Sequence, residues 1–160
     1  MEKEILEILE EDAKATPEKI AQMLNLDARE VASKIAHLEK EKIIVKYKTI
    51  VNWEKVEEDM IYAFIEVKVI PERDVGFDSI AKRIYQFPEV HSLYLMSGTY
   101  DFAVVVEGKG MKEVAFFVAE KLAVLPQVQS TATHFLLKKY KLDGEILAKE
   151  EEDRRLAVTP

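Results

Sequence analysis

Residues Thr16 to Ile44, TPEKIAQMLNLDAREVASKIAHLEKEKII, decide how the N-terminal part of this chain folds. Thr16 reads as a helix N-cap and Pro17 as the first helical residue, where a missing N–H removes no hydrogen bond the helix would make. Ile20, Ala21 and Leu24 then share one face. The pattern breaks at Asn25, and Asp27 restarts it as an N-cap, with Glu30 three residues on completing a capping box. Val31, Ile35 and Leu38 recur as an inward stripe, so Arg29, Ser33, Ala36, His37 and Lys40 project from the opposite side. Two short amphipathic helices joined by a tight polar break are the pattern of a helix-turn-helix.

A helix entering the major groove of duplex DNA needs short side chains near the base edges and cationic ones beside the phosphates. Ala32, Ser33 and Ala36 supply the first, and Arg29, Lys34 and Lys40 the second. The following stretch IIVKYKTIV, residues 43–51, alternates like a short strand and is expected to form a wing carrying Lys46 and Lys48. The candidate DNA contacts are therefore Arg29, Ser33, Lys34, His37, Lys40, Lys46 and Lys48. A plain three-helix bundle with a solvated charged face, or a dimerisation module, would show much of the same pattern.

Net charge sets a condition on that reading. At −7 the molecule as a whole repels a polyanion. From Asp27 to Lys48 the bases Arg29, Lys34, Lys40, Lys42, Lys46 and Lys48 exceed the acids Asp27, Glu30, Glu39 and Glu41 only modestly. Affinity gained through counterion release would be small for one copy, so two or more copies on repeated half-sites are expected. The 160 residues, 48% of them hydrophobic, suffice for two small domains. The chain has no cysteine, which excludes disulfides and thiolate metal sites and suits a reducing cytoplasm. Its start, MEKEILEILEED, is acidic and amphipathic, unlike a signal peptide, and no apolar run approaches the ~20 residues a membrane span requires. A cytoplasmic protein with no membrane partner is expected.

Working further outward, NWEKVEEDM near residues 52–60 is charged and carries the lone Trp53, and beyond it the helical period gives way to alternation. IYAFIEVKVI reads as a strand that Pro71 ends. Phe77, Ile80, Ala81, Ile84 and Tyr85 trace a helix stopping before Pro88. VHSLYLMS and YDFAVVVEG read as a hairpin around Gly98 and Thr99. Met111, Val114, Ala115, Val118 and Leu122 mark another helix ending before Pro126, and VQSTATHFLLKKYKL reads as one long final strand. The order βαββαβ is that of the ferredoxin-like split βαβ arrangement, so the chain is expected to be α+β. The expected organisation is a winged helix-turn-helix domain over 1–52, a linker over 53–60, a ferredoxin-like domain over 61–142 and an acidic tail over 143–160. FAVVV and HSLYLM are apolar on both sides, and a sheet with one uncovered apolar face invites a second copy, so a homodimer is expected.

These features together resemble the Lrp/AsnC (feast/famine) transcriptional regulators over nearly the whole chain. HLEKEKIIVKYKTIV matches the end of the family's recognition helix and its Ile-x-x-Tyr turn through Leu38, Glu39, Ile44 and Tyr47. SGTYDF matches its Gly-x-Tyr-Asp turn. LPQVQSTATHF keeps Leu125, Pro126, Val128, Thr131 and Thr133 of the last strand. Lys42 stands where a glycine normally closes the recognition helix, Gln127 stands where a glycine normally follows Leu-Pro, and the helix carries fewer arginines than is usual.

The resemblance implies DNA binding through the helix-turn-helix, dimerisation and often octamerisation through the C-terminal domain, and control by an amino acid or related metabolite. The implied effector residues are Gly98, Thr99, Tyr100, Asp101, Thr131 and Thr133. Their chemistry fits an amino acid: Gly98 permits close backbone approach, nearby N–H groups suit a carboxylate, and Asp101 suits an ammonium. No cofactor or metal is expected. One alternative is an effector-sensing or partner-binding protein with weak or no DNA binding. A remote one is an enzyme like the tetrapyrrole decarboxylases that this architecture also resembles. Against catalysis, His37, His91 and His134 are widely spaced, with no HxxxH and no carboxylate pair at metal-ligand spacing, although His91 and His134 are placed to meet across the sheet.

Overall fold

The structure, a computed structural model, describes residues 1–56, 60–70 and 76–148. The chain divides into two compact units, Met1–Val51 and Asn52–Pro160.

In the first unit, α1 (Glu2–Glu11), α2 (Pro17–Leu24) and α3 (Ala28–Lys40) follow the apolar stripes. Thr16 Oγ1 accepts from the Lys19 N–H at 3.3 Å, and Pro17 opens α2. Asn25 ends that helix in the left-handed region, at φ 54°, a conformation asparagine tolerates better than most residues. Asp27 Oδ1 then takes the N–H groups of Arg29 at 2.8 Å and Glu30 at 3.3 Å, starting α3. Ile5, Leu9, Ala15, Ile20, Ala21 and Val31 form one buried cluster, against which Leu24, Ile35 and Ile44 pack.

The end of α3 is a Schellman motif built on the wrong residue type. Ile43 N–H returns to Leu38 O at 2.9 Å and Lys42 N–H to Glu39 O at 3.1 Å. Lys42 sits at φ 59°, where a glycine would carry no Cβ penalty. Beyond it the expected wing differs from what forms: no residue from 45 to 50 belongs to a strand, and Val45 and Tyr47 are exposed. The alternation that suggested a strand has no neighbour to pair with in the described chain. Tyr47 instead donates its hydroxyl to Glu39 Oε1 at 2.9 Å, tying the segment to α3.

The second unit holds β1 (Ile61–Val69), α4 (Gly76–Tyr85), β2 (Val90–Leu95), β3 (Phe102–Gly108), α5 (Met111–Phe117) and β4 (Val128–Phe135). The strands form an antiparallel sheet in the order β2-β3-β1-β4. Ala63, Ile65, Val67 and Val69 on β1 pack with Phe102, Val104 and Val106 on β3 beneath Ile80, Ile84, Val114, Phe117 and Leu122 from the helical layer. Period-2 alternation sends Tyr62, Phe64, Glu66 and Lys68 to the other face.

Two details depart from the sequence pattern. Of the stripe expected for the second helix, Val114 and Leu122 are buried and Val118 packs against the core, but Met111 and Ala115 are exposed and Phe117 takes an inner position. The helix continues in a π-helical turn over Val118–Leu122, in which Ala123 N–H reaches Val118 O at 2.8 Å. That wider turn places residues five apart, Phe117 and Leu122, on one face. The long final strand also stops early, at Phe135. Residues 141–146 instead make a hairpin of β5 (Lys141–Leu142) and β6 (Glu145–Ile146), whose turn residues Asp143 and Gly144 both have positive φ, 46° and 89°. The boundary expected at residue 143 therefore falls inside this turn. Parts of the expected linker, 57–59, and of the acidic tail, 149–160, lie outside the described residues.

Among the described residues no helix is long and apolar enough to cross a membrane.

Candidate functional site

The outward face of α3 carries the candidate DNA contacts as its inward stripe requires. Arg29, Ser33, His37 and Lys40 are exposed, with Ala32 and Ala36 between them, whereas Val31 and Leu38 are sealed. Small side chains in the middle and cations toward both ends suit a helix that approaches base edges closely and touches phosphates at its margins. Lys34 is placed differently: its side chain is only 25% exposed, and its ammonium lies 3.9 Å from Glu2 on α1. Such a long, partly solvated pair is weak and easily exchanged for a phosphate. Lys46 and Lys48 are exposed on the irregular segment after α3 rather than on a wing. Glu2, which sequence pattern gave no reason to single out, is thus a neighbour of the reading helix.

The turn between β2 and β3 is built around Asp101. Its N–H donates to Val67 O at 3.0 Å, its carbonyl accepts from Met96 N–H at 2.8 Å, and its Oδ2 accepts from Val69 N–H at 2.8 Å. That last bond lies where the β1–β4 register shifts, between Lys68 and Val69, and satisfies a donor at the irregularity. The carboxylate expected to meet a ligand ammonium has one oxygen committed to the fold. Gly98 has φ 129°, while nothing lies within 4 Å of where a Cβ would stand, so backbone torsion and not crowding calls for glycine.

The remaining effector candidates fall on both sides of the sheet. Tyr100 packs edge-on against Phe64, ring centroids 6.2 Å apart, and so lies on the face away from the helices. Thr131 and Thr133 stand opposite Val67 and Ile65, on the helix-covered face. Thr99 is exposed in the turn. Within one chain, then, Gly98, Thr99, Tyr100 and Asp101 are adjacent, and the two threonines are separated from Tyr100 by the sheet. His91 and His134 do not meet: they sit on the outer strands β2 and β4, with β3 and β1 between them. His134 Nε2 lies 3.4 Å from Glu66, and His91 Nδ1 lies 3.2 Å from Ser92 Oγ. Among the described residues no group of histidine and carboxylate side chains is arranged to hold a metal ion. Gln127, in the place of a glycine, is buried, and its Oε1 accepts from Arg83 at 3.3 Å.

Comparison with known proteins supplies what geometry alone does not. The winged helix-turn-helix DNA-binding domain matches residues 1–45, and the Lrp/AsnC ligand binding domain matches residues 62–146. YugG of Bacillus subtilis, an uncharacterized HTH-type transcriptional regulator, is 50% identical over 160 residues, covering 99% of this chain and 96% of its own. The HTH-type transcriptional regulator FL11 of Pyrococcus horikoshii is 28% identical over 91% of this chain and 93% of its own. Among solved structures, a transcriptional regulator from Neisseria meningitidis in complex with L-Met shares the fold with a TM-score of 0.70 and 24% identity, covering 88% of this chain and 90% of that one. The relatives are transcriptional regulators and not enzymes. Helix-turn-helix, antiparallel split βαβ domain and these matches together place the chain in the Lrp/AsnC family of HTH-type transcriptional regulators, with an N-terminal DNA-binding domain and a C-terminal ligand-binding domain.

Proposed function

We propose that this protein is a cytoplasmic, sequence-specific regulator that works as a homo-oligomer and changes its DNA binding or assembly when an amino acid binds. The observation that carries the reading is the exposed face of α3, small at Ala32, Ser33 and Ala36 and cationic at Arg29 and Lys40. Ser33 and His37 address base edges, while Arg29, Lys34, Lys40, Lys46 and Lys48 address phosphates. The modest charge of one such face makes paired faces necessary. The sheet face bearing Tyr62, Phe64 and Tyr94 supports pairing, because a partly apolar sheet face buries best against a second copy. Octamers would extend the same logic.

For the effector, the turn from Gly98 to Asp101 is the proposed contact, with the backbone N–H groups of the exposed Gly98 and Thr99 suited to a carboxylate. Thr131 and Thr133 would join it only from another copy or through the sheet edge. The L-Met bound to the Neisseria meningitidis relative makes apolar amino acids the first compounds to try. Gel-shift titration against DNA upstream of the protein's own reading frame, at low and moderate salt, tests the regulator reading. Saturable binding that weakens steeply with salt is expected, and absence of binding by the folded protein at low salt would sink it. A thermal-shift screen of the common amino acids tests the effector: at ten times its dissociation constant a ligand stabilises by about 1.4 kcal/mol.

A further inference from the structure

The chain has three histidines, and two of them are engaged on the sheet of the second unit. His91 Nδ1 lies 3.2 Å from Ser92 Oγ, and His134 Nε2 lies 3.4 Å from Glu66. The third, His37, is exposed on α3, and among the described residues its imidazole has no hydrogen bond or ion pair. Its neighbours on the outward face, Ser33 and Ala36, are shorter, so between Arg29 and Lys40 the imidazole reaches furthest. Arg29 is the one arginine of α3. The charged groups around His37 come from α3 and its C-cap: Lys34 and Lys40 three residues to either side, Glu41 four residues on and Glu30 two turns back. Lys34 is in turn drawn toward Glu2 of α1, at 3.9 Å. These cations and carboxylates oppose one another, but His37 also lies in the last turn of α3, where the helix dipole favours a cation.

We propose that His37 reads guanine in its protonated form, so that DNA binding by this chain is linked to uptake of a proton. The inference rests on the DNA-binding reading above and assigns one residue of that face its base. An imidazolium has two N–H donors and no acceptor. In the major groove guanine sets two acceptors, N7 and O6, side by side, whereas adenine places a donor beside its N7 and thymine a methyl group beside its O4. A donor-only side chain therefore matches guanine and meets a like group on adenine. One ring N–H is donated to guanine N7, and the other faces solvent. A neutral ring can donate a similar bond, but the imidazolium's is charge-assisted and about twice as strong, and its charge is favoured beside the phosphates. Histidine is the side-chain type whose charge ordinarily changes between about pH 5 and 8. Because the bound form is the protonated one, affinity is highest in mild acid and falls as pH rises. Arg29 is charged throughout that range, so dependence on pH distinguishes a contact through His37 from one through Arg29.

Fluorescence-anisotropy titration of the full chain with the DNA upstream of its own reading frame, at one salt concentration and at about pH 5.5 and about pH 8, tests this. Affinity is expected to be about tenfold higher at the lower pH for each His37 engaged. His37→Gln, which stays polar and cannot become cationic, is expected to show the natural chain's weaker affinity at both pH values. His37→Arg, cationic at either pH, is expected to keep the higher affinity at both. A chain carrying His91→Gln and His134→Gln together is expected to retain the pH dependence, which separates base reading from titration of the sheet. DNA made with 7-deazaguanine, whose N7 is replaced by carbon, is expected to abolish it. Affinity that does not change with pH, or a change that persists undiminished in His37→Gln, overturns the proposal and leaves DNA binding standing. A pH dependence that survives 7-deazaguanine overturns the assignment to guanine N7. Absence of binding by the folded chain at either pH overturns the proposal together with the regulator reading.

Discussion

Lys42 shows how one residue can oppose the structure it completes. The Schellman bonds on either side of it satisfy the last carbonyls of α3, yet its φ of 59° places a Cβ where the left-handed conformation is crowded. That conformation costs an L-residue about 1–2 kcal/mol, and glycine would return about 0.4–1 kcal/mol of it as extra unfolded-state entropy. Lys42→Gly is therefore expected to raise stability by about 0.5–1 kcal/mol, read from the urea midpoint with an unchanged slope. A loss of stability would show that the Lys42 side chain contributes a contact that outweighs its strain. Asp101 presents the reverse case, a residue that resembles a ligand group and acts as scaffold. Removing its carboxylate in Asp101→Ala leaves the Val69 N–H without its partner, and a destabilisation of about 1–3 kcal/mol is expected. Ligand loss in that variant is consequently ambiguous, and Tyr100→Ala is the cleaner probe of the turn.

The recognition helix makes a second kind of claim, about charges placed along one element. If Arg29 and Lys40 contact phosphates, converting either to alanine should flatten the slope of log affinity against log salt by about one for each copy engaged. Lys34→Ala should flatten it only if the ammonium leaves Glu2 on binding, so a matched comparison with Glu2→Gln separates a phosphate contact from an intramolecular one. The π turn after α5 offers a pH test. Burial works to raise the pKa of Glu89, but the hydrogen bond from Lys121, the backbone and the Lys121 charge outweigh it and hold the carboxyl below the usual value of 4.5. Because the folded-state value is the lower one, the stability this pair adds is fully present above about pH 4.5 and is lost as pH falls through the folded value. The difference in melting temperature between the natural chain and Glu89→Gln should accordingly be constant near neutrality and shrink in acid. These elements also show what the sequence made legible. The caps at Thr16 and Asp27, the stripes of α2 and α3 and the βαββαβ order rest on local chemistry, and all of them form. The wing, the length of β4 and the inner face of α5 do not follow from local pattern. A strand needs a partner that alternation cannot name, and a π-turn shifts which side chains face inward without altering composition.

For the proposed homo-oligomer, the net charge of −7 and the sparse cations of α3 have to be reconciled. One helix-turn-helix unit with a few phosphate contacts gains little from counterion release, and the acidic remainder of the chain opposes even that. Pairing changes the arithmetic without adding a contact. Once one unit is bound, its partner meets the neighbouring half-site at a high effective concentration, and affinity can rise by about 10²–10⁴ over a single unit. The geometry of B-DNA then restricts where the half-sites lie, because two recognition helices related by a two-fold axis reach the same side of the duplex only at spacings of whole helical turns. Deleting one half-site from a bound operator should lower affinity by about 10²–10⁴. Inserting about half a helical turn between half-sites should cost nearly as much, whereas a full turn should restore part of it. Gel shifts on such a spacing series, run at one salt concentration, give the comparison directly. Equal affinity for single and paired half-sites would mean that one α3 face suffices, and the case for an obligate oligomer, which rests on the weakness of that face, would fail with it.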